Sequence, residues 1–487
     1  MKCKVSKICG GCSYLNLSKE EQAQKKKQAV SELIDRYHLK LKVNDIYMAE
    51  QDLQYRNKVI VGFAKEKGII YSGLYAAKSH RVCHSENCFM HPEIINEIIK
   101  DITKMMQSMK IELYNERTGT GLLRHVLIRY AHKTDEIMIV FVTSQKMFPS
   151  RKNIVKALTS KYPQIKTIVQ NINPRRTSIV LQDESIVLYG KGYITDELCG
   201  LKISFSFDSF YQIHSQQCEV LYKLAKIKLH LSPEETVLDT YCGTGTIGLT
   251  LADSCKKVTG VERNGEAINF ARQNAKQNNI DNIQFVQMDS TQFMKEAKKY
   301  HTHYDAIILD PPRAGTTKEF IENACALEPK KILYISCDPN TLMRDLVQFR
   351  KQGYVSNKVD LVDMFPRTEH VESVVLLRRE KVNGHIKFKV NTDEFKGIKH
   401  KEYKNTSVNN KASKKTYGTA TYAEIQEYVL NTFGLNVSTL YIAQTKEKCG
   451  IKERKNYNKG SEGHKAPHCT KEKEEAIIKA FKHFKMI

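Results

Sequence analysis

The stretch TVLDTYCGTGTIGLT, residues 236–250, decides the fold. An apolar strand pattern runs into Gly243, Thr244, Gly245 and Gly248, and a helix pattern follows. Glycines let a backbone turn sharply and approach a ligand at a helix N-terminus. A G-x-G-x-x-G turn also serves dinucleotide folds, so the loop alone does not choose its ligand. Its surroundings do. Asp239 and Cys242 sit in and beside the loop, where an acid suits an ammonium-bearing ligand better than a pyrophosphate. Glu262 ends the next strand pattern, KVTGVE, placed to accept both ribose hydroxyls. These residues predict S-adenosyl-L-methionine ahead of NAD.

Outward from that stretch, from about residue 205 to 380, buried-strand patterns (TVLDTY, KVTGVE, YDAIILD, KILYIS) alternate with helical ones. The rhythm predicts an α/β domain with a mainly parallel sheet, which binds ligands at its strand C-termini. Asp310-Pro-Pro-Arg313 stands at the end of YDAIILD. Its Pro pair lacks N–H groups and fixes the backbone, which suits a rigid wall beside a planar base. Cys337 follows KILYIS and faces the same cleft, before Pro339 and a capped helix. Free cysteines are commonly small core residues, yet this position predicts a nucleophile. Cys242, Cys255 and Cys325 lack that context and read as structural. Glu372 opens another apolar strand pattern, EHVESVVLL, and alone says little because most carboxylates are solvated.

The chain of 487 residues has room for about three domains. Its 41% apolar and 27% charged residues are ordinary globular usage. A net charge of +23 points to a polyanion, nucleic acid first. No apolar run approaches the roughly 20 residues of a membrane span, and MKCKVSKICGGC has no apolar signal region. Membrane, secreted and fibrous classes are therefore excluded, and a cytoplasmic location is expected. Thirteen cysteines in such a chain suggest metal or catalytic work rather than a disulfide framework.

Composition divides the chain further. Residues 1–44 carry three close cysteines and a helical stretch. Residues 45–204 read as short alternating strands interrupted by the helix pattern PEIINEIIKDITKMM. Residues 205–380 form the α/β domain. Residues 381–420 lack apolar periodicity and read as a basic linker, and 421–487 read as a small basic helical module. From 381 to the end, 22 Lys and Arg face 11 Asp and Glu. Near the start, Cys3, Cys9 and Cys12 put three thiols on one short loop, with Gly10 and Gly11 allowing close approach. A fourth ligand must come from elsewhere, and four thiolates hold either zinc or an iron–sulfur cluster.

The motifs VLDTYCGTGT, LDPPRAG, SCDPNTLMRDL and DMFPRTEHVESVVLL, with the earlier FSFDSFYQIH, together resemble the RNA uracil-C5 methyltransferases. The similarity runs from Cys3 to about Arg379. It implies a Rossmann-like S-adenosylmethionine domain with a small β-rich RNA-binding domain. It also implies that Gln212, Tyr241, Glu262 and Asp310 hold the cofactor, that Cys337 adds to uracil C6, and that Glu372 accepts the C5 proton. Arg344 and Asp345 match the motif's tail and either position the nucleophile's loop or pair structurally. Asp-Pro-Pro-Arg, in place of Asn-Pro-Pro-Tyr, argues against an exocyclic amine as target. His214 stands where most relatives have Asn, so substrate contacts are expected to differ there.

Cys88 matches the family's fourth cysteine, with Cys83 as a competitor. The quartet resembles the [4Fe-4S] ligands of the ribosomal-RNA members, with zinc as the lesser alternative. The reading is therefore 5-methyluridine formation in 23S ribosomal RNA. The same chemistry on tRNA, or a non-catalytic RNA-binding or assembly factor, are the alternatives. A monomer without a DNA or membrane partner is expected, and the extra N-terminal barrel of some relatives is expected to be absent. Arg56, Lys58, His80, Arg81, Arg124, Arg129, Arg175 and Arg176 are expected to line a phosphate-tracking groove. The target base must leave its stack to meet Cys337. In the tail, whose charge is expected to add RNA affinity, Cys449, His464, His468 and Cys469 form a candidate metal set.

Overall fold

The computed structural model describes residues 3–380 except 78, 80 and 86, and then 420–433, 435, 437–449, 469–484 and 486. The linker expected at 381–420 lies outside the described residues but for Ala420. Two compact units divide between residues 385 and 386.

The first unit is organised by a nine-stranded sheet. At its centre Thr236–Thr240 pairs in parallel with Lys257–Glu262 on one side and Ala306–Leu309 on the other. Ile283–Gln287 and Lys331–Ser336 extend the parallel run outward. Val237, Leu238, Ile307, Ile308, Leu309, Ile332 and Leu333 are wholly buried, as parallel strands covered on both faces require. Glu372–Arg379 then inserts antiparallel between Lys331–Ser336 and Lys358–Val362. Its register pairs Ser336 with Ser373, so one position further Cys337 comes opposite Glu372.

Lys42–Tyr47 completes the edge, pairing in parallel with Lys358–Val362. The boundary expected at 44/45 therefore cuts through a strand of the large sheet. Short, half-exposed edge strands carry no local signal of which sheet they join.

A second, six-stranded sheet runs in the order Ile69–Gly73, Lys58–Glu66, Leu123–Ala131, Glu136–Thr143, Ile165–Ile172, Ser185–Gly190. All its pairs are antiparallel except Glu136–Thr143 with Ile165–Ile172, whose parallel crossover contains the helix Arg151–Lys161. The helix Glu93–Ser108 buries Ile95, Ile98, Ile99, Ile102 and Met106, at three- and four-residue spacing, in that sheet's core. The second unit holds the helices Tyr422–Phe433, Thr439–Lys448 and Lys471–His483 around Ile425, Val429, Ile442, Ile477 and Phe481. Among the described residues, no helix is long and apolar enough to cross a membrane.

Candidate active site

The glycine turn leaves the central strand through Tyr241, Gly243 and Gly245, all at positive φ (61°, 54° and 83°). A Cβ on Gly245 would stand 2.9 Å from the Phe285 ring, so glycine is required there. Asp239 is buried, and its Oδ2 accepts the Gly248 N–H at 2.9 Å while Oδ1 has no partner. Burial, with Asp310 and Glu262 nearby, pushes its carboxyl up to about 7. Glu262 accepts the Gly243 N–H at 3.3 Å and the Asn264 N–H at 2.8 Å, which fixes it at the loop. An orphaned buried carboxylate oxygen within reach of two further acids fits a cationic ligand such as S-adenosylmethionine.

Tyr241 is bonded through its hydroxyl to Thr316 at 3.0 Å. Gln212 is buried, and its backbone carbonyl accepts from Asn57 Nδ2 at 2.7 Å.

Two strands away lies the reactive corner. Cys337 is half-buried, with the Arg313 side chain near its thiol. Burial, then Glu372 and Asp310, push its thiol up to about 11, while Arg313 pulls it down. Glu372 is buried with Oε2 unpartnered, and burial followed by Asp310 holds its carboxyl well above the usual range. Burial also pushes Asp310 up to about 7. All three groups favour their protonated forms in the free protein, and a positive charge brought among them favours the ionised forms together.

Asp345 accepts from Tyr334 Oη at 2.6 Å, from the Thr316 N–H at 3.0 Å and from Arg344 Nε at 2.8 Å. Arg344 also donates to Ala314 O at 2.8 Å. This pair therefore staples the loop after Arg313 rather than the nucleophile's own turn. Asp338 caps the helix Pro339–Lys351, and Thr341 Oγ1 reaches Arg313 O at 3.1 Å. Sequence reasoning left Arg313 without a role at the thiol, although its place after the Pro pair was the available signal.

Several expectations are overturned. His214 is buried, caps the helix Ser215–Leu229 through Nδ1, bonds Gln51 O at 2.9 Å and stacks on Tyr55 at 4.7 Å. Burial takes it down to about 4, so the ring is neutral, with both nitrogens bonded within the protein. Arg129 is 1% exposed and donates to Phe207 O and Ser209 O. Arg124, 3% exposed, is spent on Asn173 O, Arg175 O and Glu116. Arg56, which donates to Gly11 O at 3.2 Å, and Lys58 are largely enclosed. Arg124, Arg129 and Arg56 thus donate to carbonyls of the protein instead of tracking phosphates, while Lys58 is half-buried. Arg81, Arg175 and Arg176 are exposed, and His80 lies outside the described residues.

Cys3, Cys9, Cys12 and Cys88 do meet, with Cys83, around one pocket beside Arg56. Yet among the described residues no group of three or more His, Cys, Asp and Glu is arranged to hold a metal ion. The expected ligand geometry is therefore not present. Burial raises Cys12, Cys83 and Cys88, which favours neutral thiols, and Cys3, Cys12 and Cys88 pack against Leu15, Tyr55 and Met90. In the tail, Cys449 and Cys469 pack against the apolar core, while His464 and His468 lie outside the described residues.

Acids at neighbouring strand ends of a largely parallel sheet, beside a glycine turn, define a mixed α/β S-adenosylmethionine-dependent methyltransferase. The solved structure of Pyrococcus abyssi tRNA (uracil-54, C5)-methyltransferase with S-adenosyl-L-homocysteine shares this fold at a TM-score of 0.62. It is 24% identical, over 76% of this chain and 86% of that one. The family model described as tRNA (uracil-5-)-methyltransferase matches residues 18–380. An RNA methyltransferase of Clostridium tetani is 39% identical, over 77% of this chain and 82% of its own. Another, from Listeria innocua, is 38% identical over 77% and 83%. The chain belongs to the tRNA (uracil-5-)-methyltransferase family, as an RNA uracil-5-methyltransferase that uses S-adenosylmethionine.

Proposed function

We propose that this enzyme forms 5-methyluridine in 23S ribosomal RNA through a covalent bond between Cys337 and uracil C6. The observation that carries the chemistry is the cross-strand placement of Cys337 and Glu372, one step beyond the paired Ser336 and Ser373, with the Arg313 charge acting on the thiol. S-adenosylmethionine supplies a methyl group on a cationic sulfonium, and Asp239, Glu262, Asp310, Gln212 and Tyr241 are assigned to hold it. Uracil C5 is a weak nucleophile. Thiolate addition from Cys337 at C6 makes the ring an enolate, and C5 then takes the methyl group. Glu372 removes the C5 proton, and the C6–S bond breaks to return the thiolate.

For RNA contact, the reading uses the groove on the small sheet lined by Tyr71, Tyr114, Lys65, Arg81, Lys110 and Arg117. Cations there suit phosphates, and the tyrosines offer stacking faces to unpaired bases. What supports 23S RNA over tRNA is the gathering of Cys3, Cys9, Cys12 and Cys88 at one pocket, the place this reading assigns to a [4Fe-4S] cluster. The same pocket lacks a ligand arrangement, and that observation favours tRNA as the second reading.

Tritium release from 23S and tRNA transcripts carrying 5-tritiated uridine tests both. Release from 23S alone supports the proposal, release from tRNA alone replaces its substrate, and release from neither rejects the chemistry. Anaerobic reconstitution that leaves no stoichiometric iron and sulfide on the protein would remove the cluster.

A further inference from the structure

The turn that leads into Glu372, residues 363–370, is tied to the cysteine-bearing N-terminal segment. Arg367 is at its centre, in left-handed backbone (φ 63°), a conformation a non-glycine residue keeps only when its surroundings enforce it. Its Nη1 donates to Leu15 O at 3.1 Å and Leu17 O at 2.8 Å, and its Nη2 pairs with Asp52 at 2.5 Å. Its amide donates to Gln22 Oε1 at 2.9 Å, and its carbonyl accepts the Tyr14 N–H at 2.9 Å.

Flanking bonds converge on the same turn. The Glu369 N–H donates to Ser13 Oγ at 3.0 Å, and Tyr55 Oη donates to Pro366 O at 3.0 Å. Lys26 pairs with Asp363, both fully buried, and donates to Phe365 O at 3.2 Å. Leu15, whose carbonyl Arg367 holds, is buried among the residues that pack Cys3, Cys12 and Cys88.

We infer that Arg367 is a positioning residue for Glu372, through which residues 13–22 and Asp52 fix the turn that sets the carboxyl opposite Cys337. The body of strand Glu372–Arg379 is held by strands on both sides. Its first residue, Glu372, depends in addition on the turn before it. A general base must stand within hydrogen-bond reach of its proton, and a displacement near 1 Å costs about a hundredfold in rate. The inference rests on the adduct chemistry proposed above, because only proton removal requires Glu372.

Arg367→Ala in the full chain is expected to lower turnover about a hundredfold, with the KM for RNA within about threefold. A denaturation-resistant protein–RNA adduct should accumulate, since proton removal slows after the C–S bond has formed. Arg367→Lys keeps a charge for Asp52 and a donor for one carbonyl, and should restore part of the rate. Asp52→Asn should add nothing to Arg367→Ala, because both break one link. Hydrogen exchange should quicken in residues 363–372 and stay unchanged in 236–262.

Unchanged turnover, or exchange that quickens evenly through the whole unit with no adduct, overturns the inference. If Glu372→Gln itself traps no adduct, the proposed chemistry fails instead, and exchange in 363–372 alone then decides whether the clamp exists.

Discussion

Cys337 and Cys12 are both half-buried thiols pushed up to about 11, and each has an arginine that opposes the rise. Their other neighbours differ. Around Cys337 the groups that raise it are the carboxyls Glu372 and Asp310, against Arg313. Around Cys12 they are the thiols Cys88, Cys9 and Cys3, against an Arg56 that also donates to Gly11 O. A cation entering the first cluster would favour the ionised forms of Cys337 and Glu372 together. The second has no carboxylate among its named neighbours and packs on a small apolar core of Leu15, Tyr55 and Met90. The same raised thiol stands among acids in one place and among other thiols in the other, and the two companies suit different chemistry.

The largest test of that contrast is Cys337→Ala against Cys12→Ala. The first should lower methyl transfer at least about a thousandfold and abolish the adduct. The second should leave cofactor affinity within about twofold, by calorimetry, and cost about 2 kcal/mol of stability in urea. Next come the arginines. Arg313→Ala should slow single-turnover transfer about a hundredfold, with part of the loss recovered as pH rises and the thiol ionises without help. Arg56→Ala should cost about 2 kcal/mol of stability and leave the pH profile of transfer alone.

The pH dependence itself follows from signs. Cys337, Glu372 and Asp310 are all raised, so their reactive, ionised forms grow as pH rises, and the native rate should climb through neutral pH.

A smaller effect is expected at Asp239. Its carboxyl, raised from 3.8 to about 7, keeps a proton in the folded state that the unfolded chain has released between those values. The free protein should therefore lose stability as pH rises through that window. Asp239→Asn should remove the loss, leaving the free protein about 2 kcal/mol more stable near pH 7 and unchanged near pH 4 in urea titrations, while weakening cofactor binding at least about tenfold. The smallest effect belongs to the tail. Removing residues 381–487 should shallow the salt dependence of RNA binding by a few charges and leave the rate at saturating RNA intact.

The placing of most of the candidate site was legible in the sequence because its signals are local. A glycine turn after an apolar strand, and Asp310 and Cys337 at strand ends, each declare themselves within a dozen residues, while Glu372 drew its role only from the resemblance. The basic residues did not declare their direction. Leu123–Ala131 reads as alternating, yet it is covered on both faces, so Arg124 and Arg129 turn inward to carbonyls. His214 sits in a motif associated with substrate contact, but the N–H of Gln217 and the carbonyl of Gln51 claim both ring nitrogens. The meeting of Cys3, Cys9, Cys12 and Cys88 was legible from the resemblance, while their coordination was not, because spacing fixes which thiols are near and not how they point. Arg367 was invisible altogether, since its partners lie hundreds of positions earlier in the chain.

The same distance governs when the enzyme comes into being. The strand Lys42–Tyr47 finds its place only against Lys358–Val362, and the Cys337–Glu372 pair only when Glu372–Arg379 slides between two strands already made. A ribosome must therefore release nearly all of the first unit before the sheet can close, and long-range pairings of this kind close slowly. Until that moment the nascent chain carries Cys337 without Glu372 opposite it. On the proposed chemistry, the candidate site thus reports completed synthesis: a chain truncated before residue 372 would lack the assigned proton acceptor and should not turn over.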